Sequence, residues 1–130
     1  MKRLEENVTI ITGGGKGIGY GLAQAFAEAG SNLVITGRTL SRLESAKERL
    51  EAEYGVKVLP IVADGADEAA IKDVVAQTIA TFGKINTLVN NAQVSKSGLP
   101  LIEHTKEDLD LSIHSGLYAA FFYMRECFPY

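Results

Sequence analysis

The amino-acid sequence predicts an α/β fold in which a doubly wound parallel sheet carries helices on both faces. Apolar β-type runs alternate with amphipathic helical runs along the whole chain, and the connections between them are short. A glycine-rich segment, residues 12–19, joins the first strand to the first helix. Because parallel strands are joined by right-handed crossovers, this alternation indicates a parallel sheet with helices on each side.

Four apolar runs predict the strands, and they cover residues 8–12, 33–36, 56–63 and 85–89. The expected strand order is 3-2-1-4, which places a ligand crevice at the carboxyl ends of strands 1 and 4, where the winding reverses. The glycine-rich segment follows strand 1 directly, so the fold and the motif indicate the same site. Residues 1–130 are therefore predicted to form a single domain of Rossmann type.

Helical periodicity predicts four helices. The first covers residues 18–29, with one apolar face made of Ile18, Leu22, Ala25, Phe26 and Ala29. The second covers residues 41–53, where Ser41 and Glu44 have the spacing of a capping box. Asp67 is expected to cap the third, which reaches Phe82, and the fourth covers residues 105–128.

The fourth helix carries two apolar stripes, one containing Leu109, Ile113, Leu117, Ala120, Met124 and Phe128, the other Leu111, Tyr118 and Phe122. A helix that is apolar on two faces needs cover on both. We therefore predict a homo-oligomer packed through residues 105–128. The alternative is that these side chains form one wide face toward the core.

Composition excludes several classes of protein. The chain has 130 residues, of which 46% are hydrophobic and 22% charged, as is usual for a globular domain. A net charge of −3 gives nucleic-acid binding no electrostatic support. The only cysteine, Cys127, excludes an intrachain disulfide and argues against a thiolate metal site. It is expected to be a core or interface hydrophobe and not a reactive thiol. No apolar leader or membrane span is visible, so a cytoplasmic location is expected.

The glycine-rich segment predicts a phosphate site, because bare backbone N–H groups at a helix N-terminus bind anions. The spacing Gly-x-Gly-x-x-Gly fails in every register, and the P-loop fails because Lys16 is followed by Gly17. What fits is Thr-Gly-x-x-x-Gly-x-Gly. The predicted cofactor-binding residues of the segment are Gly13, Gly15, Lys16, Gly17, Ile18 and Gly19. The alternative is a turn that needs glycine only for its own geometry.

Three motifs together resemble the short-chain dehydrogenase/reductase family: residues 12–19, Asp64 after strand 3, and Asn90-Asn91-Ala92 after strand 4. The resemblance covers the whole chain and corresponds to the N-terminal half of a family member. It implies that Asp64 accepts a hydrogen bond from the adenine amino group and that Gly65 lines the same pocket. It also implies that Asn90 ties strand 4 to its neighbours and that Ala92 lies near the nicotinamide ribose.

The end of strand 2 indicates which dinucleotide is preferred. An acidic residue there would bind the free ribose 2′-OH of NAD, but Gly37 occupies that position. Arg38 and Lys16 would instead suit a 2′-phosphate. NADP(H) is therefore predicted over NAD(H), with solvated surface charges as the alternative.

The chain departs from the family pattern near the reaction centre. Gln93 replaces the glycine that usually follows Asn-Asn-Ala, and Gly116 aligns with the family's helix asparagine. Ser115 and His114 are its neighbours and the only weak catalytic candidates. No tyrosine is followed by lysine four positions later. The resemblance implies that the catalytic Ser and Tyr-x-x-x-Lys lie beyond residue 130, so the chain alone is expected to be inactive.

The predicted function is therefore hydride transfer between NADP(H) and a carbonyl or alcohol substrate, with a 3-oxoacyl thioester as one family substrate. The chain would be the cofactor-binding half of such an oxidoreductase. A complete but non-catalytic nucleotide-binding or subunit-interaction module is the alternative. A methyltransferase half-domain is disfavoured, because Gly37 offers no acid at the end of strand 2.

Overall fold

The structure is a computed structural model that describes residues 2–130. The four strands are β1 (Val8–Thr12), β2 (Asn32–Gly37), β3 (Val58–Val62) and β4 (Thr87–Val89). All their pairings are parallel, and the order is β3-β2-β1-β4. The predicted fold class and strand order are confirmed, with small shifts at the strand ends.

Helices follow the strands in alternation. Helices α1 (Gly17–Glu28), α2 (Leu40–Tyr54) and α3 (Glu68–Phe82) follow the first three strands. After β4 come a 3₁₀ turn (Leu101–Glu103), α4 (Lys106–Ser112), a π-helical turn (Ile113–Tyr118) and α5 (Ala119–Cys127).

Successive residues of the central strands point to opposite faces of the sheet. Ile11, Leu33 and Ile35 pack in the layer that holds α1 and α2. Ile10 and Val34 pack in the layer that holds α3 and α5. The sheet is therefore covered on both faces, and its carboxyl edge stays open between the two layers.

The buried face of α1 agrees only in part with the predicted one, in that Leu22 and Phe26 pack partly buried against the core. Gly19, Ala23 and Ala27 are buried, whereas Ile18 is 79% exposed. A Cβ on Gly19 would lie 2.0 Å from the carbonyl oxygen of Gly13, so only the smallest residue fits there. This close approach rotates the helix away from the face that maximises apolar burial.

Helix caps are partly as predicted. Asp67 caps α3 by accepting hydrogen bonds from the N–H groups of Ala69 and Ala70. The capping box predicted at Ser41 is wrong, because α2 begins at Leu40 and Ser41 lies inside its first turn. Packing of the apolar face of α2 against the sheet decides where the helix begins, and the local spacing does not.

The C-terminal helical segment is helical over most of its predicted length, but its middle is a π turn. A π turn uses i→i+5 hydrogen bonds, so a stripe counted at 3.6 residues per turn loses its register across it. The buried residues of the segment are Ser115, Ala119, Tyr123 and Cys127. Both predicted stripes are largely outside this face, and the alternative of one wide core face is also wrong.

Cys127 is a core residue, as predicted. It is buried beside α3, and burial raises the pKa of its thiol to about 11. The thiol is therefore protonated at neutral pH. Across residues 2–130, no helix combines the length and the apolar character that a membrane crossing requires.

The contact between Gly19 and Gly13 predicts a matched pair of variants. Gly19→Ala should lower the free energy of unfolding by about 1–3 kcal/mol, the usual cost of overpacking, because the new methyl group collides with a backbone oxygen. Gly21→Ala in the same helix meets no atom within 4 Å and should raise stability by up to about 1 kcal/mol. Urea unfolding of both variants checks this, and equal effects of the same sign would contradict it.

Candidate functional site

An open cavity of about 840 Å³ lies at the carboxyl edge of the sheet. Its walls are the segment after β1, the ends of β2 and β3, the chain after β4 and the π turn. The volume falls in the range of small-molecule and cofactor sites. The structure brings all the predicted cofactor-binding residues to this cavity: Gly13, Gly15, Lys16, Gly17, Ile18, Gly19, Arg38, Asp64, Gly65, Asn90 and Ala92.

The glycine-rich segment forms a cradle at the N-terminus of α1. Gly17, the first residue of the helix, has a φ of +57°, and a Cβ there would meet no atom within 4 Å. Within the described residues, Lys16 gives the helix no side-chain cap and its first turn holds no acidic residue. The first N–H groups of a helix lack intrahelical partners, so they are available to an anion here. The cradle therefore fits a phosphate group.

A network of hydrogen bonds joins the end of β1 to the chain after β4. The Thr12 hydroxyl oxygen accepts from the N–H groups of Asn91 and Ala92, each at 2.9 Å. The Asn91 side-chain amide donates back to the carbonyl oxygens of Thr12 at 3.1 Å and Gly13 at 3.4 Å. These bonds hold the cradle and the chain after β4 in fixed relation.

The role expected of Asn90 therefore belongs to its neighbour. Asn91 ties the end of β4 to β1, whereas Asn90 is exposed and lines the cavity. Both residues follow Val89, the last residue of β4, and the backbone N–H of Asn91 is fixed by the Thr12 hydroxyl. At the other end of the strand, Asn86 accepts from the N–H of Val8 at 2.8 Å.

Positive charges outnumber negative charges in the lining of the cavity. Lys16 and Arg38 line it, as predicted, and so does Arg42 from the first turn of α2. Sequence reasoning missed Arg42, although its place one turn into the helix after β2 was a usable signal. The only carboxylate among the lining residues described is Asp64. A Cβ on Gly37 would lie 3.2 Å from Leu43 Cδ2, so an acidic side chain there would press on the core.

Asp64 and Gly65 lie together beyond β3. The Asp64 carboxylate accepts from the N–H of Ala66 at 2.9 Å, which holds it in a tight turn. Behind them Tyr123 lines the cavity floor, and burial raises the pKa of its phenol to about 12. Tyr123 is therefore neutral at physiological pH and is not poised to exchange protons there.

The two weak catalytic candidates are not poised for catalysis. The Ser115 hydroxyl accepts from the N–H of Val94 at 2.9 Å and donates to the carbonyl oxygen of Val94 at 2.8 Å. The hydroxyl thus donates one hydrogen bond and accepts another, both with the backbone of Val94. His114 is exposed outside the cavity lining, with its ring edge-on to Tyr118 and Nδ1 2.7 Å from the carbonyl oxygen of Asp110.

The two departures from the family pattern meet in space. Gln93 and Gly116 both line the cavity, and a Cβ on Gly116 would lie 3.6 Å from Gln93 Cγ. Sequence reasoning identified both positions but did not relate them, because they lie on separate elements.

A glycine cradle at a helix N-terminus, placed where the winding of a parallel sheet reverses, defines a nucleotide-binding α/β domain. A family model described as short chain dehydrogenase matches residues 7–130. The chain therefore belongs to the short-chain dehydrogenase/reductase family, a family of oxidoreductases.

Among curated proteins, the chain is 55% identical over 136 aligned residues to a 12α-hydroxysteroid dehydrogenase from Clostridium sp., covering 100% of this chain and 52% of that protein. It is 36% identical over 113 residues to a gluconate 5-dehydrogenase from Gluconobacter oxydans, covering 87% of this chain and 43% of the relative. The chain thus spans about half the length of the curated relatives it matches.

Among solved structures, the chain superposes with a TM-score of 0.92 and 31% identity on L-sorbose reductase from Gluconobacter frateurii, which was crystallised with NADPH and L-sorbose. The match covers 99% of this chain and 49% of the reductase. A short chain dehydrogenase from Burkholderia cenocepacia in complex with NADP gives the same TM-score at 29% identity, covering 98% of this chain and 52% of that one.

Proposed function

We propose that this chain binds NADP(H) and forms the cofactor-binding part of a dehydrogenase or reductase. The observation that carries the proposal is the pairing of an uncapped glycine cradle with Lys16, Arg38 and Arg42 in the lining of the same cavity. The cradle suits the pyrophosphate and the cations suit a 2′-phosphate. The NADPH and NADP complexes among its structural relatives support the same cofactor.

The roles of the lining residues follow from their places around the cavity. Lys16 and Arg38 would hold the 2′-phosphate, and Asp64 with Gly65 would flank the adenine. Ala92 and Asn90 lie beyond the cradle, on the side where the second nucleotide of a dinucleotide extends. When bound, the nicotinamide accepts or donates a hydride. The residues of this chain bind and orient the cofactor.

The reaction we propose for the whole protein is hydride transfer between the nicotinamide and a carbonyl or alcohol carbon. The name of the 55% identical relative supports a hydroxysteroid, and hence a cyclic secondary alcohol, as the substrate class. The 3-oxoacyl thioester stays a prediction from the family resemblance. Rates with the two substrate classes, measured on the whole gene product, distinguish them. A cytoplasmic location also stays a prediction.

Binding of NADPH and NADH tests the cofactor proposal on the chain itself. NADPH should bind more tightly than NADH. Arg38→Ala should weaken the affinity for NADPH about tenfold, because it removes roughly 1.5 kcal/mol of charge-assisted hydrogen bonding. The affinity for NADH should hardly change, because NADH lacks the 2′-phosphate. Isothermal titration calorimetry measures both ligands.

Arg3→Ala is the matched control, because Arg3 is exposed and outside the cavity lining. It should leave both affinities unchanged. Equal affinity of the unaltered chain for the two ligands, or equal loss of both in Arg38→Ala, would contradict the preference for NADP(H).

We also propose that the exposed apolar surface of residues 105–128 packs against a second copy of the chain. Leu109, Leu117, Phe121 and Met124 are all more than half exposed on this surface. Phe122, in contrast, is half-buried against the core, so a charge there would disturb folding as well as association.

Phe121→Glu should therefore lower the sedimentation coefficient in analytical ultracentrifugation, because Phe121 is 52% exposed on that surface. Leu101→Glu, at an 89% exposed position outside it, should leave the coefficient unchanged. Association that survives Phe121→Glu would rule out this surface.

A further inference from the structure

Gln93 lies between two residues whose backbones are fixed. On one side the N–H of Ala92 donates to the Thr12 hydroxyl at 2.9 Å. On the other side Val94 exchanges two hydrogen bonds with the Ser115 hydroxyl, at 2.9 and 2.8 Å. The backbone of Gln93 is therefore held from both directions, although Gln93 itself is exposed at the cavity wall.

The π turn leaves room for the Gln93 side chain. Gly116 faces it, and a Cβ at that position would lie 3.6 Å from Gln93 Cγ and 3.7 Å from Cδ. Both distances are ordinary van der Waals separations, so Gln93 and Gly116 are neighbours on the wall of the cavity.

The carboxamide is free to bind a ligand. Among residues 2–130, the Gln93 carboxamide makes no hydrogen bond, and the bonds next to it join Val94 to Ser115. A carboxamide offers two N–H donors and one acceptor oxygen. A polar group in the cavity can therefore use any of these without displacing an existing bond.

The place of Gln93 relative to the strands indicates which half of a dinucleotide would lie near it. Arg38 and Asp64 follow β2 and β3, on one side of the glycine cradle, whereas Gln93 follows β4 on the other side. A dinucleotide crosses a sheet of this kind at the reversal point, with its pyrophosphate at the cradle. An adenosine on the β2 and β3 side leaves the nicotinamide riboside on the side of β4.

We infer that Gln93 is a positioning residue for the nicotinamide half of the cofactor, which it holds by hydrogen bonds from its carboxamide to a polar group of the nicotinamide riboside. Gly116 on the π turn is the neighbour of this side chain at the cavity wall. The inference rests on the proposed binding of NADP(H), and it assigns to the cavity a contact at the end opposite to the 2′-phosphate.

Two ligands distinguish binding at the adenosine end of the site from binding at the nicotinamide end. NADPH carries both halves, whereas 2′,5′-ADP carries the adenosine and 2′-phosphate but no nicotinamide. Gln93→Ala should weaken the affinity for NADPH about fivefold to tenfold, which is the loss expected for one hydrogen bond. The affinity for 2′,5′-ADP should not change. Gln77→Ala on α3, whose amide bonds Asp73 at 2.6 Å, is the control and should change neither affinity.

The emission of bound NADPH gives a second readout that a merely structural role would not move. Its wavelength should shift in Gln93→Ala, because the dihydronicotinamide loses its fixed contact. Gln93→Asn keeps a carboxamide on a shorter side chain and should retain part of the NADPH affinity. If Gln93→Ala fails to fold, Gln93→Asn decides by the same comparison of the two ligands.

The outcomes distinguish this inference from the proposed function. Unchanged NADPH binding in Gln93→Ala, or equal weakening of NADPH and 2′,5′-ADP, overturns the role of Gln93 and leaves the cofactor proposal standing. Failure of the unaltered chain to bind either ligand overturns both.

Discussion

The site depends on the hydrogen bonds that join the end of β1 to the chain after β4. One hydroxyl, that of Thr12, accepts two backbone N–H groups, and the Asn91 amide returns two bonds to the backbone on the other side. Parallel strands have no hairpin to fix their ends. These side chains supply that fixation at the point where the winding reverses, so the cradle and the opposite wall of the cavity keep one geometry.

The two sides of the cavity, on either side of this junction, are lined by different kinds of residue. On one side, cations and a single carboxylate surround the space beyond β2 and β3. On the other, the chain after β4 is pinned to the π turn through Ser115 and carries Gln93 at the cavity wall. In the proposed binding mode, charge would recognise the 2′-phosphate at one end and neutral hydrogen bonds would hold the nicotinamide half at the other.

Much of this arrangement could be predicted from sequence, because the cofactor residues follow strand ends and strand ends meet at one edge. The stripe of α3, with Ile71, Val74 and Val75 buried, follows from its periodicity alone. The face of α1 does not, because the contact of Gly19 with Gly13 is a tertiary constraint. The face of the last helix does not either, because α5 buries Ala119, Tyr123 and Cys127 while the more apolar Met124 and Phe128 stay exposed.

The remaining differences in the site have equally specific causes. Asn90 and Asn91 are indistinguishable by residue type, and only the hydrogen bonds to Thr12 and Gly13 assign the structural role to Asn91. Arg42 joins the cations because the first turn of α2 borders the cavity. The pairing of Gln93 with Gly116 spans two elements and becomes visible only when both are placed.

The central claim is that the carboxyl edge of the sheet holds NADP(H) across the cradle. Titration of the isotope-labelled chain with NADPH, followed by amide NMR shifts, tests this most directly. NADPH should cause the largest shifts in residues 13–19, at Arg38 and Asp64, and in residues 90–93, with little change in α3. Shifts confined to other surfaces, or no shifts at saturating NADPH, would contradict it.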